Sequence, residues 1–132
     1  MGLLIDLLER LPQLHCLVTS RRVLNVAGER VQLLAPLAVP RPDLDAASAA
    51  RNPAIQLFVD RARAARPGFA LTDRNYPELL QLVRAVDGLP LALEIAASRI
   101  RSLSPAEMYE AINDHRFSVL TRGGHRSGRS AR

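Results

Sequence analysis

The chain has 132 residues, enough for one domain, and its 48% hydrophobic and 23% charged content is ordinary for a globular protein. Its formal net charge is +5, and the chain contains 18 arginines but no lysine. Phosphate-binding loops of the Gly-x-x-x-x-Gly-Lys-Ser/Thr type need their lysine, so the composition excludes such a loop. The single cysteine, Cys16, excludes an internal disulfide and a zinc site built from several cysteines. Its apolar neighbours predict a buried, inert thiol.

The basic charge is concentrated at the C-terminus. The last 11 residues contain four arginines and no acidic residue. Residues 121–132 are rich in Gly, Ser and Arg without an apolar pattern, so we expect this tail to be disordered. We see no signal peptide, and no apolar stretch approaches the roughly 20 residues of a membrane span. These features predict a cytoplasmic protein with no membrane partner.

The first 42 residues predict one helix, two short strands and a connector. Leucines at helical spacing predict an amphipathic helix that ends near Pro12. Leu14 to Val18 is a short apolar run without a polar face, which predicts a strand buried in a parallel sheet. Val31 to Leu34 is a second strand candidate. Ala35 to Pro42 contains too many prolines for a strand ladder and is predicted to be an extended connector.

The middle of the chain predicts helices with clear boundaries. The Ala-rich stretch Asp43 to Arg51 is consistent with a partial helix or an ordered loop. Asn52 followed by Pro53 is a typical N-cap with proline at the first helical position, and this helix ends before Pro67. A further helix begins near Asp73 or Asn75.

A sharp corner joins the next two helices. Gly88 suits the left-handed position after a helix end, and Pro90 suits the first turn of the following helix, which extends to about Arg101. Ser104 with Glu107 forms a capping box that opens a short helix to about Asn113.

Few residues suggest a catalytic, metal-binding or ligand-binding site. His15, His115 and His125 have no spacing that indicates a metal site. Asp60 is expected to pair with Arg61 or Arg63 along its helix. Thr19, Ser20 and Arg21 follow the first predicted strand, where ligands bind in open α/β sheets. A fixed guanidinium there suits a phosphate, although an ordinary strand end is the simpler interpretation of these three residues.

Together these segments resemble the nucleotide-binding domain of STAND (NB-ARC-like) ATPases, in particular those of bacterial LuxR-type and adenylate-cyclase-linked transcriptional regulators. The resemblance covers about residues 3–124. The matching segments are Leu17 to Arg21 (sensor-1 strand), Gly28 to Leu37 (next strand and its exit), Ala54 to Ala62 with Arg66 to Phe69 (first helix of the small subdomain), Asp87 to Ala97 (GLPL motif) and Arg116 to Gly124 (approach to a winged helix).

The resemblance implies an α/β remnant that is mostly α. Two short strands from a P-loop NTPase sheet would precede a helical subdomain of four to five helices. Residues 1–40 would be the C-terminal part of the NTPase core, residues 41–120 an ARC1-like helical subdomain, and residues 121–132 the tail. Arg21 would correspond to the sensor arginine near the γ-phosphate, and Pro90 to the proline against adenine. The vestigial nucleotide-binding residues implied are Thr19, Ser20, Arg21, Gly88, Leu89 and Pro90.

The Walker A and Walker B segments of that family have no counterpart here, so the chain resembles the middle of a larger protein. We expect no catalytic activity and no cofactor of its own, although the parent family uses ATP. The leading hypothesis is a truncated STAND-type regulator fragment that acts on DNA only indirectly. Two alternatives stay open: an interaction module that docks on a full-length regulator or an ATPase partner, and a small nucleic-acid-binding protein that uses its basic tail.

Overall fold

The computed structural model describes the backbone of residues 2–123 and the side chains of residues 2–115. This part of the chain contains six helices: α1 Gly2–Arg10, α2 Ala46–Ala49, α3 Pro53–Ala65, α4 Tyr76–Ala85, α5 Pro90–Ser98 and α6 Pro105–Gly123. The chain divides into two compact units, Met1–Leu34 (unit 1) and Ala35–Arg132 (unit 2).

The prediction of an α/β remnant with two P-loop sheet strands is wrong. No strand occurs among residues 2–123, and both predicted strand segments are irregular in the structure. An apolar run becomes a buried strand only where neighbouring strands accept its hydrogen bonds and cover its side chains. Leu17, in the middle of the first segment, is instead 98% exposed.

Unit 1 consists of α1 and a long irregular segment, and none of its described residues is buried. The loop around residues 24–29 of that segment is held by hydrogen bonds. The Glu29 carboxylate accepts hydrogen bonds from the backbone N–H groups of Leu24 (2.9 Å) and Asn25 (2.8 Å). Eleven large apolar side chains of the unit are exposed: Leu3, Ile5, Leu7, Leu11, Leu14, Leu17, Val18, Val23, Val31, Leu33 and Leu34.

Helices α3 and α6 begin at the caps that the sequence indicates, whereas Asn75 precedes α4 without a side-chain capping hydrogen bond. The side-chain oxygen of Asn52 accepts hydrogen bonds from the backbone N–H groups of Ala54 (2.9 Å) and Ile55 (3.3 Å) at the start of α3. At the start of α6, the Glu107 carboxylate accepts from both the backbone N–H (2.7 Å) and the hydroxyl (2.9 Å) of Ser104. These hydrogen bonds, the backbone one first, lower the pKa of Glu107.

The helices of unit 2 pack as two pairs. Arg61 pairs with Glu94 (3.3 Å) rather than with Asp60, and the Arg66 guanidinium donates to the Ile100 carbonyl (3.5 Å). Helices α3 and α5 therefore lie side by side. Helices α4 and α6 also lie side by side, and both line a groove that includes Arg84 and Tyr109.

The core of unit 2 lies between these helices. Its largest fully buried side chains are Phe58, Ile55, Leu79, Leu82, Leu93 and Val83. Phe58 and Phe69 contact edge to face with ring centroids 6.1 Å apart. Buried alanines, among them Ala54, Ala62 and Ala97, allow the helix backbones to approach closely. A core of small and aliphatic side chains follows from a chain with only 4% aromatic residues.

Helix α6 is longer than its sequence predicts. It continues past Asn113 to Gly123, so the first three residues of the predicted tail, residues 121–123, belong to it. Residues 124–132, with His125 and three of the tail arginines, lie outside the described residues.

We expect Phe58→Ala to lower the free energy of unfolding of unit 2 by about 3–5 kcal/mol, because it leaves a cavity in the core. The exposed Leu17 is the matched control, and Leu17→Ala should change that free energy by less than about 0.5 kcal/mol. Urea unfolding followed by circular dichroism measures both. An equal loss of unfolding free energy in the two variants would contradict the finding that unit 2 has a core and unit 1 has none among its described residues.

Candidate functional site

The six residues of the predicted nucleotide site are divided between the two units. Thr19, Ser20 and Arg21 lie in unit 1 and are exposed. The Ser20 hydroxyl accepts a hydrogen bond from the backbone N–H of Arg22 (3.1 Å), which forms a local turn. The other three, Gly88, Leu89 and Pro90, lie at the corner between α4 and α5 in unit 2. Their role in nucleotide binding stays a prediction.

The corner begins with a Schellman motif at the end of α4. The backbone N–H of Gly88 donates to the Val83 carbonyl (3.2 Å), and that of Asp87 donates to the Arg84 carbonyl (3.1 Å). Gly88 has a φ of 65°, as the helix-end pattern predicts, but Asp87 before it is also left-handed with a φ of 55°. Leu89 then adopts an extended conformation, and Pro90 is the first residue of α5.

Gly88 lies directly under the connector that follows unit 1. Its carbonyl accepts a hydrogen bond from the backbone N–H of Leu37 (3.0 Å). A Cβ atom at Gly88 would collide with the Leu37 carbonyl and approach Cγ2 of Val39 to 3.4 Å. Both backbone polar groups of Gly88 are therefore used within the fold, and the missing side chain is what allows the connector to lie there.

We name residues 37–41 the strap, because they cross three elements of unit 2. Besides the contact at Gly88, the amide nitrogen of Asn52 donates to the Ala38 carbonyl (2.8 Å) at the start of α3. The Tyr76 hydroxyl, at the start of α4, donates to the Arg41 carbonyl (3.5 Å). Tyr76 is only 4% exposed, and burial, followed by the nearby Asp43 carboxylate, raises the pKa of its hydroxyl.

The outer side of the corner is apolar. Leu89 and Pro90 are exposed, and the next turn of α5 presents Leu91, at 68% exposure, and Ile95. These side chains can contact an apolar or planar surface of a ligand or partner. Leu89, Pro90, Leu91 and Ile95 supply no group for acid–base or nucleophilic chemistry.

Two grooves elsewhere carry polar groups without forming a catalytic arrangement. Unit 1 has a mainly apolar groove of about 640 Å³ that His15 and Cys16 help to line. Cys16 is exposed, so the prediction of a buried thiol is wrong. In unit 2, a groove of about 580 Å³ lies beside α2 and α3, where Asp73 accepts a hydrogen bond from the Ala46 N–H (3.0 Å). Across the described residues, no group of three or more His, Cys, Asp or Glu side chains could hold a metal ion.

We expect Gly88→Ala to lower the free energy of unfolding by about 2–5 kcal/mol, since it combines a left-handed alanine with a collision at Leu37. Gly68 is the matched control, because a Cβ there meets no atom within 4 Å. Gly68→Ala should change the free energy by less than about 1 kcal/mol. Thermal and urea unfolding measure the difference, and two variants of equal stability would refute the close approach of Leu37.

The Tyr76 hydroxyl provides a pH signature. Its pKa is raised above the ordinary value of 10.0, so the folded state favours the neutral phenol. Its contribution to stability is fully present below that ordinary pKa and is lost as the pH rises through the raised pKa. Absorbance titration should show a tyrosinate transition displaced to higher pH that is absent in Tyr76→Phe. A titration of the same shape in both proteins would show that the hydroxyl is solvated.

Comparison with known proteins finds relatives that are much longer than this chain. It is 34% identical over 122 residues to a Mycobacterium tuberculosis protein named "Putative HTH-type transcriptional regulator", and equally to a Mycobacterium bovis protein of the same kind. The match covers 92% of this chain and 12% of those relatives. It is 37% identical over 115 residues to an uncharacterized M. tuberculosis protein, covering 87% of this chain and 26% of that one.

The first two relatives are named as transcriptional regulators, and the chain spans only about one eighth of their length. No family model and no solved structure matches the chain. The resemblance to NB-ARC and LuxR-type proteins therefore stays a hypothesis. Within residues 2–123, no helix is both long and apolar enough to cross a membrane.

Proposed function

We propose that this chain is a non-catalytic segment of a STAND-like transcriptional regulator and that it works by docking, through unit 1, onto a longer regulator. The observation that carries the proposal is the exposed apolar surface of unit 1. Eleven of its large apolar side chains are exposed, and none of its described residues is buried. Unit 2, in contrast, has a core of its own.

Apolar side chains in unit 1 gather along one groove. Leu4 and Leu8 of α1 line it together with Leu14, Leu17 and Val18. Scattered single leucines on a protein surface are normal, but a continuous apolar patch marks a site of interaction with another molecule. A partner that covers this groove would supply the burial that the unit lacks.

The lengths of the relatives suggest the kind of partner. A match of 122 residues leaves at most ten of the 132 outside it, so most of unit 1 lies within the match. In the regulators, that stretch is accompanied by a far longer chain. We infer that the partner is a regulator of this kind, and that the chain reaches DNA only through it.

Docking can be measured with the M. tuberculosis regulator as the probe. We expect the purified chain to bind this full-length protein in biolayer interferometry, and Leu17→Asp to weaken binding at least tenfold, because a carboxylate would then enter an apolar contact. Leu91→Asp is the comparison variant for unit 2, because Leu91 is an exposed leucine of that unit, at 68% against 98% for Leu17.

Two results would contradict docking through unit 1. One is equal weakening by Leu17→Asp and Leu91→Asp. The other is a stable dimer in light scattering that Leu17→Asp converts to a monomer, because the apolar surface would then be covered by a second copy of the chain.

The second part of the proposal is that the chain has no ATPase activity and no cofactor of its own. It is supported by the complete absence of lysine, since phosphoryl transfer in P-loop enzymes depends on that side chain. Thr19, Ser20, Arg21, Gly88, Leu89 and Pro90 would then be remnants of a nucleotide site. We expect phosphate release from MgATP at the level of a protein-free blank. Turnover that Arg21→Ala abolishes would overturn this part.

A further inference from the structure

We propose that the strap, residues 37–41, opens from unit 2 as a local unit while the helices stay folded, and that this opening uncovers the Gly88 corner. The strap would be a conformational device that controls access to the α4–α5 corner. It is held by hydrogen bonds at Gly88, Asn52 and Tyr76, one on each of three elements.

The helices do not depend on the strap for their own ends. The Asn52 side chain caps α3 through its oxygen and holds the strap through its nitrogen, so the cap survives when the strap leaves. The Schellman bonds of Asp87 and Gly88 run to the Arg84 and Val83 carbonyls of α4. Loss of the Leu37 contact therefore leaves the end of α4 bonded.

The side chains of the strap lie at the edge of the core. Ala38 and Arg41 are exposed, Leu37 and Val39 are half-buried, and Pro40 is the one buried residue of the strap, whereas Phe58 and Leu82 are fully buried between helices. Regions with few buried apolar contacts open with free energies below that of global unfolding. The strap belongs to this class, and the helical core does not.

Opening would change the chemistry of the corner. The Gly88 carbonyl loses the Leu37 N–H and becomes an accessible acceptor beside the exposed Leu89 and Pro90. The corner would then offer a polar contact next to an apolar wall, which it lacks while the strap is closed. A ligand or partner that uses this acceptor would bind the open form and shift its population.

The strap is stiff and begins close to unit 1. Pro40 restricts its backbone, Pro36 and Pro42 restrict the backbone just before and just after it, and Leu34 is the last residue of unit 1. In one respect the inference rests on the proposed function: a partner that holds unit 1 would act on the strap through only two residues, Ala35 and Pro36. Opening itself needs no partner.

Hydrogen exchange of the Leu37 amide, followed by NMR on the full chain alone, tests the inference. We expect this amide to exchange faster than the amides of α3, and its rate to be insensitive to low urea concentrations, as local opening requires. Asn52→Asp keeps the α3 cap but removes the donor to Ala38, and Tyr76→Phe keeps the ring but removes the donor to Arg41. Each variant should raise Leu37 exchange about fivefold, the factor for one typical hydrogen bond, with α3 exchange unchanged.

Gly68→Ala, which lies away from the strap contacts, should leave Leu37 exchange unchanged. The inference is overturned if the Leu37 amide exchanges as slowly as the slowest α3 amides, because the strap would then open only on global unfolding. It is also overturned if both Asn52→Asp and Tyr76→Phe leave Leu37 exchange unchanged. Because no regulator is present in this experiment, its outcome is independent of whether unit 1 docks on one.

Discussion

The left-handed Gly88 is the constraint on which both the corner between α4 and α5 and the position of the strap depend. Only a residue without a Cβ atom allows the Leu37 carbonyl to lie this close, and the same residue completes the Schellman end of α4. Pro90 then starts α5 one residue after Leu89, which sends the helix back across α3. The Gly-Leu-Pro sequence thus has a structural explanation that needs no ligand: it joins two helices and seats the strap.

The two units differ in how much apolar surface each one buries within itself. Unit 2 encloses a core in which buried alanines bring helices together around Phe58 and Leu82. Unit 1 has a similar supply of leucines but no second layer to cover them, and Leu34 is 88% exposed. A chain segment that buries little apolar surface gains little free energy from folding. The physical difference between the units therefore lies in whether each provides partners for its own apolar side chains.

The same difference explains what could be predicted from the sequence. The starts of α3 and α6 were predictable because caps such as Asn52 and the Ser104–Glu107 pair depend on residues within one turn. The two strands were wrong because an apolar run such as Leu14 to Val18 specifies burial without supplying the neighbours that would provide it. The strap contacts join residues far apart in the sequence, and Leu37 carries no local sign that its N–H will meet Gly88.

Two features of the structure bear on the predicted nucleotide site. The turn at Thr19 to Arg21 lies in unit 1, where none of the described residues is buried, so no core residue of that unit fixes the Arg21 side chain. Gly88 ends α4 and makes room for Leu37, so a glycine is required here whether or not a nucleotide binds. Leu89 and Leu91 differ, because both side chains are exposed and neither is among the residues that pack against the core of unit 2. These two leucines on either side of Pro90 are therefore the part of the corner whose composition the fold alone does not explain.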